Sequence, residues 1–199
     1  MLFCHGLWSF PGGTKPQYMQ NELGWEVISL EMRRNGWELS SQVRTVREAI
    51  DNNGPFDLLM GSSFGGLAIA NAVKEYSEDL RIVLLAPAFG VYDTLSEQIG
   101  DSELGEWKKV GIKTFHPLGW DEDVSIPWTF MEDARRLGWP EVNHRTVILH
   151  GLLDDVVPIE SSRVFMRSSP FVEIVEVDDG HRLGESLELL RDLVSMVLD

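Results

Sequence analysis

Cysteine is almost missing from this chain. Cys4 is the only one in 199 residues, which excludes an internal disulfide and any cysteine-built zinc site and suits a reducing compartment. Positive charge is scarce too: 17 Lys plus Arg stand against 32 Asp plus Glu, a formal charge of -15. A field of that sign repels phosphate backbones and anionic lipid, so nucleic acid and membrane surfaces are not expected partners. No apolar run reaches the 18 or so residues that a spanning helix needs. No basic stretch precedes an apolar one after Met1, so no secretory signal is expected. Internal repeats and Pro- or Ser-rich linkers are also lacking. The expectation is one acidic, soluble, cytoplasmic domain over residues 1–199, whose oligomeric state the sequence leaves open.

What is present has the proportions of an ordinary globular protein, 43% apolar and 25% charged, so disorder is excluded. Short apolar runs alternate with amphipathic stretches, the signature of β-α units on a parallel sheet. Strands are expected at Leu2–His5, Trp25–Leu30, Phe56–Met60, Arg81–Ala86, Thr146–His150 and Val172–Val177. Most are continuous apolar runs, as in strands covered on both faces; the last partly alternates, as an edge strand does. Val43, Val46 and Ile50 line one face of a helix that Ser40-Ser41 should start and Asn52-Asn53-Gly54-Pro55 should stop. Further helices are expected from Ser63 to Tyr76, from about Pro158 to Arg167, and from about Gly184 to Leu198.

The stretch from Ala88 to Arg145 breaks this rhythm. It is far longer than an ordinary crossover, holds Trp107, Trp120, Trp128 and Trp139, and has a hairpin-like pattern around Pro117–Asp123. It reads as an inserted lid or cap, residues 88–145, over the strand ends.

Three motifs carry chemistry. Gly61-Ser62-Ser63-Phe64-Gly65 matches G-x-S-x-G between a strand and a helix, where a serine on a strained turn projects from the sheet. Glycines two residues either side leave room for that turn. Second, His150-Gly151-Leu152-Leu153-Asp154-Asp155 follows an apolar strand, and a carboxylate there can face the same crevice as the serine. Asp154 is the first choice for it and Asp155 the second; an aspartate here could equally cap the helix that follows. Third, His181 lies after the last strand, placed to bridge Ser63 and Asp154. The order Ser, Asp, His is that of α/β hydrolases. The first strand ends at His5-Gly6, and its loop should present the amide of Leu7 (or Trp8), with that of Phe64, to an oxyanion. Trp8, Phe10, Trp107 and Trp128 are candidates for an acyl pocket, with Phe64, Phe89 and Phe130 nearby in sequence.

These residues resemble the α/β-hydrolase superfamily over essentially the whole chain. Within it the chain looks most like small serine hydrolases related to the mitochondrial palmitoyl-protein thioesterase and acyl-glucuronide esterase, and like small bacterial esterases of the YqiA type. Gly13-Thr14-Lys15, Gly61-Ser62-Ser63 with Gly65-Gly66, Asp154-Asp155 before Val157-Pro158, and His181-Arg182 carry that likeness. It implies a minimal α/β-hydrolase fold: a mainly parallel six-stranded sheet in order 2-1-3-4-5-6, flanked by helices, without the leading antiparallel strand pair common in the superfamily. It also implies a Ser63, His181, Asp154 triad that hydrolyses small or medium acyl esters or thioesters through an acyl-enzyme. No metal or organic cofactor is required. Two other readings of the fold are a ligand-binding protein that turns over slowly or not at all, and a peptidase; a dehalogenase would need Asp in place of Ser63.

Overall fold

The computed structural model describes residues 1–198; Asp199, the last residue of the expected domain, lies outside the described residues. In chain order the elements are β1 Leu2–Cys4, α1 Thr14–Asn21, β2 Ile28–Leu30, α2 Leu39–Asn53, β3 Leu59–Ser62, α3 Phe64–Ala72, β4 Ile82–Leu85, α4 Val91–Ile99, α5 Asp101–Val110, β5 Ile112–Phe115, β6 Val124–Pro127, α6 Thr129–Leu137, β7 Thr146–Gly151, α7 Ile159–Ser168, β8 Val172–Val177 and α8 Leu190–Leu198. Six strands form one parallel sheet in the order β2-β1-β3-β4-β7-β8. Counted along those six strands, the order is the expected one.

Alternation along the strands explains why their sequences are apolar throughout. Leu2, Cys4, Ile82, Leu84 and Ile148 join a core with α2, α3 and the 88–145 segment. Phe3, Val83, Leu85, Val147 and Leu149 join a second core with α1 and α8. Each face is covered, so both parities of every central strand must be apolar. Cys4 is wholly buried, and burial pushes its thiol above the ordinary range, which makes it a packing group.

The helix ends depart from expectation. Ser40-Ser41 does not cap α2: the Ser40 amide donates to Asp133 Oδ2 of α6 at 2.8 Å, and the Thr129 hydroxyl to Glu38 Oε1 at 2.8 Å. The cap therefore comes from a helix 93 residues away. α3 stops at Ala72, and Val73–Glu75 form a 3-10 turn. Gly184 does not begin the last helix; a 3-10 turn at Leu187–Leu189 leads into α8. α1 was not expected at all.

Between β4 and β7 the chain forms α4, α5, an antiparallel hairpin of β5 and β6, and α6. The hairpin matches the pattern expected around Pro117–Asp123. Among the described residues no helix is long and apolar enough to cross a membrane.

Candidate active site

Ser63 sits between β3 and α3 with φ 53° and ψ -119°, a conformation that costs a non-glycine residue about 1–3 kcal/mol. Backbone bonds hold it: the Ser63 amide donates to Leu85 O at 2.8 Å, and its carbonyl accepts from Leu67 and Ala88 at 3.1 Å each. The flanking glycines answer to close packing. A Cβ on Gly61 would lie 2.7 Å from Gly65 O, and one on Gly65 would collide with the carbonyl oxygens of Cys4 and His5. Only bare backbone lets α3 start this close to the end of β1.

His181, from the loop after β8, and Asp154, from the loop after β7, meet Ser63. His181 Nε2 is 3.1 Å from Ser63 Oγ, and His181 Nδ1 is 2.7 Å from Asp154 Oδ2. An ionised carboxylate only accepts, so Nδ1 carries the hydrogen and Nε2 accepts from the serine hydroxyl. Asp179 shapes the loop that delivers the histidine: its carboxylate accepts from the Gly180 and Glu185 amides and from the Ser186 hydroxyl.

Asp154 is held on both oxygens. Oδ1 accepts from the Val156 and Val157 amides at 2.9 and 2.8 Å; Oδ2 faces His181 and, at 3.2 Å, His150 Nε2. Burial alone would raise its pKa, but hydrogen bonds from His150, His181 and the Val157 amide, with the charge of His181, outweigh it and hold the carboxyl well below the usual range. Asp155 is exposed; of the two aspartates only Asp154 reaches His181.

His150 was not singled out from the sequence. Fully buried, its Nε2 lies 3.0 Å from Val157 O as well as near Asp154, two acceptors, so that nitrogen carries the hydrogen. Its Nδ1 then accepts from the Ser162 hydroxyl at 2.7 Å. The available signal was a polar residue closing an otherwise apolar strand. His150→Leu should orphan the Ser162 hydroxyl and the Val157 carbonyl, lowering stability by about 1–3 kcal/mol; urea melts measure this, and an unchanged midpoint would contradict it.

The loop after β1 is tied by its carbonyls. His5 Nε2 accepts from the Met32 amide at 3.3 Å, so Nδ1 carries the hydrogen and donates to Gly6 O at 2.8 Å. Burial, with the nearby Arg33 charge, keeps His5 below the usual imidazole range against the opposing Gly6 bond and Glu31. Leu7 O accepts from Arg33 Nη1 at 3.0 Å, and Trp8 O from Trp120 Nε1 at 3.2 Å. Arg33 lies against both the Trp37 and Trp120 rings, 5.3 and 5.0 Å from their centroids, and pairs with Glu31. Three successive carbonyls are thus anchored, while the Leu7 and Phe64 amides have no acceptor among the described residues. Leu7 and Phe64 both border the cavity over Ser63.

That cavity measures about 820 Å³. Trp8 and Phe10 line it, as does Phe89. Trp107 and Trp128, expected beside them, do not. Trp107 is buried with Nε1 donating to Ile126 O at 3.0 Å, and its ring meets Trp128 edge-on. Their apolar area joins the β5–β6 hairpin to α5 and α6 and is not left for a ligand. Phe130 is likewise buried, stacked on Phe64. Among the described residues no cluster of three or more His, Cys, Asp or Glu is arranged to hold a metal ion.

No curated protein matches this sequence. Solved structures do. The mouse alpha/beta hydrolase domain-containing protein 10 superposes with a TM-score of 0.77 at 21% identity, over 98% of this chain and 88% of that one. Est1E from Butyrivibrio proteoclasticus, with ferulic acid bound, gives 0.73 at 18% identity over 97% and 85%. The esterase EaEST from Exiguobacterium antarcticum gives 0.66 at 18% over 98% and 91%. Likeness at these identities establishes the shared fold. The profile described as "Uncharacterised protein family (UPF0227)" matches residues 1–197. With that match over nearly its whole length, the chain belongs to the UPF0227 family and has the α/β-hydrolase fold.

Proposed function

We propose that this protein is a serine hydrolase that cleaves carboxylic esters or thioesters of small to medium acyl groups. The observation that carries the reading is the unbroken chain Ser63 Oγ–His181 Nε2, 3.1 Å, and His181 Nδ1–Asp154 Oδ2, 2.7 Å, opening on the cavity. His181 Nε2 takes the hydroxyl proton as Ser63 Oγ attacks the acyl carbon, and Asp154 holds the imidazole in the tautomer that accepts it. The tetrahedral oxyanion is received by the Leu7 and Phe64 amides. As the carbon–leaving-group bond breaks, His181 returns the proton to the departing oxygen or sulfur. Water, deprotonated by His181, then attacks the acyl-enzyme; the acid leaves and Ser63 regains its hydrogen. Residues 88–145 act as a cap: Leu118 from the hairpin loop borders the cavity, and Trp120 braces the oxyanion loop.

A fluorophosphonate probe tests this reading. Stoichiometric labelling of the wild type and none of Ser63→Ala is expected, with turnover of p-nitrophenyl esters showing a chain-length optimum. Folded wild-type protein that takes no label overturns it.

Arg33 is a positioning residue in this scheme. Arg33→Met removes the donor to Leu7 O and should lower kcat about tenfold with KM little changed, because one oxyanion donor is worth roughly 10²–10³ in turnover and only its placement is loosened. A rise in KM at constant kcat would assign Arg33 to substrate binding instead.

A further inference from the structure

Two hydroxyl–imidazole pairs meet on one oxygen of Asp154. On the cavity side Ser63 Oγ lies 3.1 Å from His181 Nε2, and His181 Nδ1 lies 2.7 Å from Asp154 Oδ2. On the core side Ser162 Oγ lies 2.7 Å from His150 Nδ1, and His150 Nε2 lies 3.2 Å from the same Oδ2. In both pairs the hydroxyl donates to the ring and the ring N–H faces the carboxylate. Only the first pair is open. His150 and Ser162 are fully buried, so the second never meets a substrate.

Packing does not account for His150. Val147, Ile148 and Leu149 before it in β7 are buried apolar residues, and an apolar side chain would close the strand without burying two polar nitrogens. Its bonds converge instead on the turn that carries the acid. The Nε2 hydrogen lies between Val157 O and Asp154 Oδ2, at 3.0 and 3.2 Å, while the Val157 amide donates to Asp154 Oδ1 at 2.8 Å. His150 therefore touches the carboxylate and also ties down the residue that holds its other oxygen. Ser162 fixes the ring, because a hydroxyl donated to Nδ1 keeps the hydrogen on Nε2.

We infer that His150, backed by Ser162, is a positioning residue of the hydrolytic reaction. It sets the direction in which Asp154 Oδ2 meets His181 and, by sharing that oxygen, moderates how strongly the carboxylate supports the imidazolium. The inference rests on the serine hydrolase reading and adds a buried pair to its working parts. With the His150 donor removed, Asp154 has more charge to offer His181, and the protonated ring gains. Only neutral His181 can accept the Ser63 proton, so the rise of activity with pH then comes later. The other charges around the two rings stay in place. Beside His181 these are Lys15 of α1, Arg182 and Asp179; opposite His150 it is Glu176 of β8, paired with Arg163 of α7. The hydrogen bond from Arg163 holds the Glu176 carboxyl below its ordinary range, so Glu176 stays ionised while His181 titrates.

Hydrolysis of p-nitrophenyl butyrate followed from about pH 5 to 8 tests this in two variants. His150→Leu removes the donor; His150→Gln places an amide N–H near the position of Nε2. In His150→Leu, kcat should fall about tenfold with KM unchanged, since misplacement by a fraction of an ångström costs that much. The acid limb of kcat/KM should move up by roughly half a pH unit. His150→Gln should restore most of both. A role confined to stability would lower the melting point and leave the limb, and kcat per folded molecule, as in wild type. That result overturns the inference, and so does a Gln variant as impaired as the Leu variant.

If neither variant folds, the wild type decides. Long-range proton–nitrogen spectra of its five histidines should show the His150 hydrogen on Nε2, with that nitrogen's resonance moving as His181 titrates, because the two rings share Oδ2. A hydrogen on Nδ1, or a resonance indifferent to His181, overturns the inference. Failure of the hydrolase reading is distinguishable. If the wild type cleaves no ester and Ser63 takes no fluorophosphonate, that reading fails, while the nitrogen-detected titration of His181 in the three proteins still tests the grip on Asp154. A midpoint raised in His150→Leu and restored in His150→Gln supports it; equal midpoints in all three overturn it.

Discussion

Ser63→Ala is expected to lower kcat for a p-nitrophenyl ester by at least about 10⁴-fold, leaving only what binding and the oxyanion donors supply without a nucleophile. The melting temperature should move by no more than a degree or two. Ser63 Oγ makes one hydrogen bond, to His181, and the strained backbone keeps its Cβ in the variant, so no cavity or orphaned backbone group is created. Steady-state kinetics with a thermal melt on the same preparation decide it. Turnover within tenfold of wild type would show that another group attacks.

Asp154→Asn should cost about 10³–10⁴ in kcat, and the geometry says why. Two backbone amides donate to Oδ1, so the amide oxygen of Asn must take that place and its NH₂ must face His181 Nδ1 and His150 Nε2. His181 Nδ1 then becomes an acceptor, its hydrogen moves to Nε2, and the ring can no longer receive the proton of Ser63. His150 loses an acceptor at the same time. Asp155→Asn, on an exposed residue, should change kcat by less than about twofold, because an exposed charge outside the chain of bonds is well screened. Equal losses in the two variants, or the reverse ranking, would move the acid one residue along.

The same carboxylate couples stability to pH. Its pKa in the folded protein is held below that of the unfolded chain, so its contribution is complete above the unfolded value of about 3.9 and is lost as pH falls below it. The stability gap between wild type and Asp154→Asn should therefore be full at pH 7 and narrow below about pH 4. Urea melts across that range measure it, and a gap constant down to pH 3 would show that Asp154 is not stabilised in its ionised form.

Much of this molecule was written in short stretches of sequence. A strand buried on both faces must be apolar at every position, so the central strands were legible from runs such as Ile82-Val83-Leu84-Leu85, the edge strand β8 from its partial alternation, and most crossovers from helical periodicity between them. The Ser63 turn was legible because bare backbone is needed where β3, α3 and the end of β1 crowd together, and that need leaves Gly61 and Gly65 in a fixed frame. Asp154 and His181 were legible because residues just past parallel strands share one edge of the sheet.

Contacts between distant segments were not legible, because they leave no local pattern. An aromatic ring packs equally well into a core or a cavity wall, so Trp107 and Trp128 could not be assigned until the hairpin was folded against α5 and α6. Arg33 reaches Leu7 O across 26 residues, and Trp120 reaches Trp8 O across 112; nothing near either residue marks it as a brace. Asp133 caps α2 in place of the local serines because the docked α6 brings a full carboxylate to an amide that Ser40 and Ser41 leave bare. Local spacing determined the strands, the Ser63 turn and its partners; tertiary packing decided what holds the loop after β1, how Asp154 is gripped and which residues wall the cavity, since those depend on which surfaces meet once the cores have closed.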